Sequence, residues 1–209
     1  MRTPEMNSIV ARAIPIRALL SALPLLALAG CVSFGAKPPA QLLSIASQAR
    51  VAPSEARSIA TGTAISVVIP DGARKLETPR VPVQVDDTSV AYVQKAQWID
   101  VPRRMFRALL AETLKAGGTP VLDPDQFSIT PHVQLSGTLT EFGVDARTNS
   151  AIVTLDAVLT KPGDKALTTQ RFTASEPIGG KVDATNAARA INAAANKVAA
   201  DVAAWVGAK

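Results

Sequence analysis

The sequence predicts an α/β domain built from strands and two long helices, and three observations carry that reading. Residues 133–140 and 153–160 alternate apolar and polar side chains with period two, as half-buried strands do. Residues 98–116 place Trp98, Met105, Phe106, Leu109, Leu110, Thr113 and Leu114 on one stripe of helical period. Residues 183–206 repeat Ala184, Ala188, Ile191, Ala195, Val198, Val202 and Trp205 at steps of three or four. The length of 209 residues suits one domain, with room for an appendage.

The appendage comes first. Arg2, Arg12 and Arg17 precede an apolar run from Ala18 to Ala29, and Leu28-Ala29-Gly30-Cys31 closes it. A dozen apolar residues fall short of the roughly 20 needed to cross a bilayer and fit a secretory signal ending at small residues. The four closing residues resemble the bacterial lipobox. That resemblance implies cleavage between Gly30 and Cys31, a diacylglyceryl thioether on Cys31, and acylation of the new amino group. Cys31 is the one cysteine in the chain, which leaves no internal disulfide and no thiolate metal site. Val32 follows it; the sorting rule this resembles retains Asp at that place in the inner membrane and lets Val pass to the outer membrane. Residues 1–30 are read as signal, 31–40 as acylated Cys and tether, and 41–209 as the folded domain. The tether, with Gly35, Pro38 and Pro39, keeps the domain close to the membrane.

In the domain, Gln41–Ala46 is expected to be a first short strand and Arg50–Thr61 a loop. Thr63–Ile69 reads as a strand, with Ile65, Val67 and Ile69 on one face, stopped by a turn at Pro70-Asp71-Gly72. Val81, Val83 and Val85 alternate around Pro82, which makes an edge or irregular strand. Ser89–Val93 extends the path. A helix over 98–116 takes Asp100 as its cap and Pro102 in its first turn, and ends at Gly117-Gly118. The strands over 133–140 and 153–160 join through a hairpin at Asp145–Ser150. Pro162-Gly163-Asp164 turns into a third antiparallel strand, Ala166–Ala174. The closing helix over 183–206 is capped by Asp183 or Thr185, and its Ala face permits close approach to a sheet.

The chemistry-bearing residues are few. The formal charge of +5 falls to about +3 once residues 1–30, with three Arg and one Glu, are removed. There is no basic cluster of the kind nucleic acids require, and aromatics at 4% give no base-stacking platform. One His, His132, leaves no His pair for zinc. Ser136 lies near it but lacks the glycine two residues earlier that a nucleophile elbow needs. Gly179-Gly180-Lys181-Val182 lacks the Ser/Thr and the earlier glycine of a P-loop. Asp86-Asp87 and Asp123-Pro124-Asp125 read as turns. No catalytic residue, metal ligand or cofactor is assigned. Arg103, Arg104, Arg107 and Lys115 make either a solvated helix face or a docking patch for an acidic partner or lipid phosphates. The exposed positions of the long strands offer an edge for an added strand.

The order of segments resembles a known family, the auxiliary lipoproteins of ABC-type, MCE-linked transport systems, PqiC-like lipoproteins among them. The matching features are the lipobox and tether, Leu42-Leu43, Val67-Val68-Ile69-Pro70, Arg80-Val81-Pro82-Val83-Gln84-Val85 and Tyr92. They continue through Ala96-Gln97-Trp98-Ile99-Asp100, the helix Met105–Leu114, the sheet segment Leu135–Phe142, and the Ala-rich helix ending Trp205-Val206. Gln97, where the family often has Arg, and Pro82, inside a strand the family often leaves unbroken, depart from the pattern. The resemblance implies an α/β sandwich with a mixed sheet of about five to six strands and two main helices, similar to the N-terminal domain of TolB. It implies a non-enzymatic role beside an MCE-domain protein with its permease and ATPase, moving phospholipids or other hydrophobic molecules between inner and outer membranes. Tyr92, Trp98, Arg103, Arg104 and Arg107 are the expected partner surface, for that assembly or for a second copy of the chain; core packing is the competing role for Tyr92 and Trp98. A free-standing binder of an apolar ligand and a periplasmic hydrolase using Ser136 and His132 are the alternatives.

Overall fold

A computed structural model describes residues 41–53, 63–122, 131, 133–163 and 166–208. His132, the Asp123-Pro124-Asp125 turn, Gly30, Cys31 and the tether lie outside the described residues, as does most of the loop expected over 50–61.

The backbone is an α/β sandwich: a mixed eight-stranded sheet with both long helices on one face. Its strands are β1 (Ile65–Val67), β2 (Asp71–Gly72), β3 (Arg80–Gln84), β4 (Val90–Gln97), β5 (Val121–Leu122), β6 (Val133–Asp145), β7 (Ser150–Thr160) and β8 (Thr168–Pro177). The helices are α1 (Pro102–Ala116) and α2 (Ala184–Gly207). The 13-residue β6 organises the sheet. On one side it pairs antiparallel with β7, which pairs with β8. On its other side β1, β2 and β3 each run parallel to a successive stretch of it. Beyond them lie β5, parallel to β1, and β4, antiparallel to β3.

The expected five to six strands become eight because β2 and β5 have two residues each, too short to leave a period in the sequence. The Pro70-Asp71-Gly72 turn is corrected accordingly: Asp71 and Gly72 pair with Thr138 and Leu139. Ile69 does not share the buried face of Ile65 and Val67; it is 45% exposed, because β1 ends before it. Pro82 sits in an interior strand, at the place where the β3–β4 register shifts, so its missing N–H removes no regular ladder bond.

The alternation along β6 changes phase. Leu135 and Leu139 face the core, then Phe142 and Val144 do. A register shift between Leu139 and Glu141 inserts one residue against β7, which moves the inward set from odd to even numbers. At Gly137 (φ 150°) a Cβ would stand 2.1 Å from the Asp156 carbonyl oxygen, so glycine lets β7 close on β6.

Helix α1 begins later than the apolar stripe suggested. Trp98 still belongs to the sheet edge, with its N–H on the Pro79 carbonyl, and Pro102 starts the helix. Asp100 does not cap it: its carboxylate accepts from the adjacent Val101 N–H (2.7 Å), and Val101 holds the cap position. The end is a Schellman motif, with Gly118 at φ 87°, Thr119 N–H on Leu114 O and Gly118 N–H on Lys115 O. Asp183 caps α2 by accepting from Asn186 N–H. The buried face of α2 includes Ala187, Ala190, Ala194, Ala195 and Ala199, small enough for the helix to lie close over β7 and β8. Trp98, Phe142 and Phe106 lock the other half of the core edge to face, at 5.8 Å and 6.2 Å between ring centres.

Candidate partner and membrane surface

The first described segment of the domain is fastened in an unexpected way. Residues 41–48 follow the strand period, with Leu43, Ile45 and Ser47 half-buried and the alternate residues exposed. They form no strand ladder. A single parallel bridge joins Leu43 to Trp98, through Leu43 N–H on Gln97 O and Ile99 N–H on Leu43 O. After that the backbone is held by side chains of α2. Asn192 Oδ1 accepts from Ala46 N–H (2.8 Å), Asn196 Oδ1 accepts from Gln48 N–H (2.7 Å), and Asn196 Nδ2 donates to Ala46 O (2.9 Å). Two carboxamides one turn apart replace a neighbouring strand. The first expected strand is thus an extended strap over the helix layer. The signal for it was two Asn, poor helix formers, at i and i+4 in an Ala-rich helix.

The residues expected to form one partner surface are not gathered in one place. Trp98 is 1% exposed and fills the core, so its indole offers nothing to a partner. Its Nε1 has no hydrogen-bond partner among the described residues. Tyr92 precedes the core residue Val93 on β4 and so points to the opposite, open face of the sheet, where the Arg80 guanidinium lies 3.7 Å over its ring. The arginines of α1 divide. Arg103 donates to Pro70 O and Arg107 to Val67 O, tying α1 to the chain that leaves β1. Arg104 is the solvated one, 63% exposed, with an i,i+4 contact of 3.4 Å to Asp100.

The open sheet face is polar and internally paired. Arg171 on β8 holds Asp156 on β7 through both carboxylate oxygens, Lys75 reaches Glu141, and Arg147 holds both Asp145 oxygens while touching Asp87. Hydrogen bonds from Arg147 and Arg171 hold the Asp145 and Asp156 carboxyls below the ordinary carboxylate range, against the opposing effect of burial. Asp86 folds a turn by accepting from Thr88, as the paired-acid reading expected. Ser136 is on this face too; among the described residues no group of three His, Cys, Asp or Glu side chains stands where it could hold a metal.

A second feature lies where the strap meets α1. Leu42 and Ile99 are 52% and 65% exposed beside the Leu43–Trp98 bridge. Next to them is an open cavity of 230 Å³ lined by Ile45, Ile99, Met105, Ala108, Leu109 and Glu112, among others. Sequence reasoning missed it because its walls come from segments some sixty residues apart. No described helix is long and apolar enough to cross a membrane.

The fold defines a small two-layer α/β domain. The chain belongs to the ABC-type transport auxiliary lipoprotein component family, whose model matches residues 42–203. No curated protein matches it. Among solved structures it is similar to protein XCC0632 from Xanthomonas campestris, at 18% identity and a TM-score of 0.65 over 80% of this chain and 97% of that one. It is also similar to an uncharacterized protein at 15% identity and a TM-score of 0.59, over 69% of this chain and 92% of that one. These likenesses establish the fold.

Proposed function

We propose that this chain is a non-enzymatic accessory component of an envelope transport system, held to a membrane through acylated Cys31. Its partner is an MCE-domain protein with its permease and ATPase, and the cargo is phospholipid or another hydrophobic molecule passing between inner and outer membranes. The observation that carries the reading is the family match over 42–203 behind a lipobox-like Leu28-Ala29-Gly30-Cys31. Val32 favours the outer membrane, with the domain facing the periplasm. The ATP-binding motif missing from this sequence belongs, on this reading, to a separate polypeptide. Of the side chains expected to meet a protein partner, the half-buried Tyr92 with Arg80 over its ring is left for docking, on the open sheet face.

Affinity purification of the full-length lipoprotein from native envelopes in mild detergent, followed by mass spectrometry, tests the proposal. Recovery of an MCE-domain protein together with a permease and an ATPase is the expected result. Recovery of the lipoprotein alone, under conditions that keep other envelope complexes whole, refutes it and favours a free-standing binder of apolar ligand.

A further inference from the structure

We infer that the corner formed by Leu42, Ile99 and the cavity beside them is a membrane-contacting surface, seated in the headgroup–acyl boundary of the bilayer that holds Cys31. The inference rests on the lipid-anchor reading above and adds which face of the domain meets the lipid.

Three observations converge on it. The first is the apolar surface itself. Leu42 and Ile99 are large, aliphatic and more than half exposed, and they flank a single backbone bridge, so they stand out together from one spot. Isolated exposed apolar residues are ordinary; two beside an open, largely apolar cavity are a patch. The cavity's 230 Å³ admits a segment of one hydrocarbon chain and little more.

The second is position. Residue 41 begins the strap, ten residues after Cys31. At full extension those residues span about 35 Å, and Gly35, Pro38 and Pro39 do not lengthen them. Leu42 is therefore confined to within about 35–40 Å of the anchored Cys31, a tighter bound than the tether sets on any surface later in the domain. The Asn192 and Asn196 bonds to Ala46 and Gln48 hold the strap, so the patch cannot swing away independently of α2.

The third is charge. Arg104 lies one turn before Ala108, a cavity-lining residue, and is 63% exposed. Arg50 reaches back to the carbonyl of Ser47, which also lines the cavity. Two guanidiniums thus flank apolar side chains, the arrangement that suits lipid phosphates above acyl chains. The nearby acids are Asp100, which Arg104 meets at 3.4 Å in a solvated i,i+4 contact, and Glu112, which accepts from Val51 N–H.

The test uses the full-length, acylated lipoprotein in vesicles of phosphatidylethanolamine and phosphatidylglycerol. Leu42→Cys, Ile99→Cys and Leu167→Cys each provide one thiol for an environment-sensitive fluorophore. Leu167 is the control, equally exposed at 64% but beside β8, at the far edge of the sheet from β4. Blue-shifted emission and quenching by spin-labelled acyl chains at 42 and 99, and not at 167, is the expected result. Equal, unshifted emission at all three sites on vesicle-bound protein overturns the inference and leaves the anchor reading standing. So does shielding of 42 and 99 that arises only when a co-purified protein partner is added, which makes the patch a protein interface. The anchor reading has its own control: the unsubstituted chain, its thiol blocked as a thioether, takes no label, and labelling at Cys31 refutes acylation.

Discussion

Replacing Trp98 with Ala separates a packing role from a docking role by magnitude. The side chain is 1% exposed, meets Phe142 edge to face at 5.8 Å, and closes the junction of β4, the strap and α1. Truncation empties most of that volume, and large aromatic-to-Ala changes in cores cost about 3–5 kcal/mol, of which the ring pair supplies roughly 0.5–1.5. With an m-value of about 2–3 kcal/mol per M urea for a domain of this size, the unfolding midpoint falls by about 1–2 M. Trp98→Phe is the control. It keeps a ring against Phe142 and sacrifices no hydrogen bond, since Nε1 makes none among the described residues; its cost is about half as large or less. Urea unfolding followed by far-ultraviolet circular dichroism, with co-purification of partners from the same variants, reads both quantities. A midpoint within about 0.3 M of the parent chain, combined with loss of partner recovery, refutes the packing argument and puts the indole at an interface.

Other perturbations give graded outcomes. Asn196→Ala leaves Gln48 N–H and Ala46 O without their partner and costs about 1–3 kcal/mol; amide exchange of Gln48 rises well ahead of the α2 core. Gly137→Ala forces a Cβ to 2.1 Å from the Asp156 carbonyl oxygen, and thermal unfolding shows a loss of about 2–4 kcal/mol, because backbone cannot step aside as a side chain can. The carboxyls of Asp145 and Asp156 titrate lower in the folded chain than in the unfolded one. Their contribution is present at neutral pH and is lost as pH falls below about 4, through the folded values. Denaturant midpoints measured from pH 7 to pH 3 fall less steeply for Asp145→Asn than for the parent chain.

Much of the architecture was legible from side-chain periodicity. The β6–β7–β8 meander, the stripe of α1, and α2 with a cap at Asp183 or Thr185, of which the structure takes Asp183, all follow local rules, in which a face buried along one element leaves a period in its own sequence. The Asp145–Ser150 connection and the Gly117-Gly118 stop likewise need only local chemistry. The candidate surface was less legible. Arg103 and Arg107 look like any solvated basic helix face until the carbonyls of Pro70 and Val67, more than thirty residues away, are in place to receive them.

The sequence alone determined the class of the longer elements, β6, β7, β8, α1 and α2, and the lack of a P-loop motif, because periodicity, composition and short motifs are properties of consecutive residues. Only the tertiary structure decided that Trp98 is core, that Tyr92 faces the opposite side of the sheet, and that Asn192 and Asn196 strap residues 41–48 down. It also brought Leu42 and Ile99 together. The physical reason is that burial and hydrogen-bond partnership belong to pairs of groups distant in the chain, and the two-residue strands β2 and β5 exist only because a neighbour offers them a ladder.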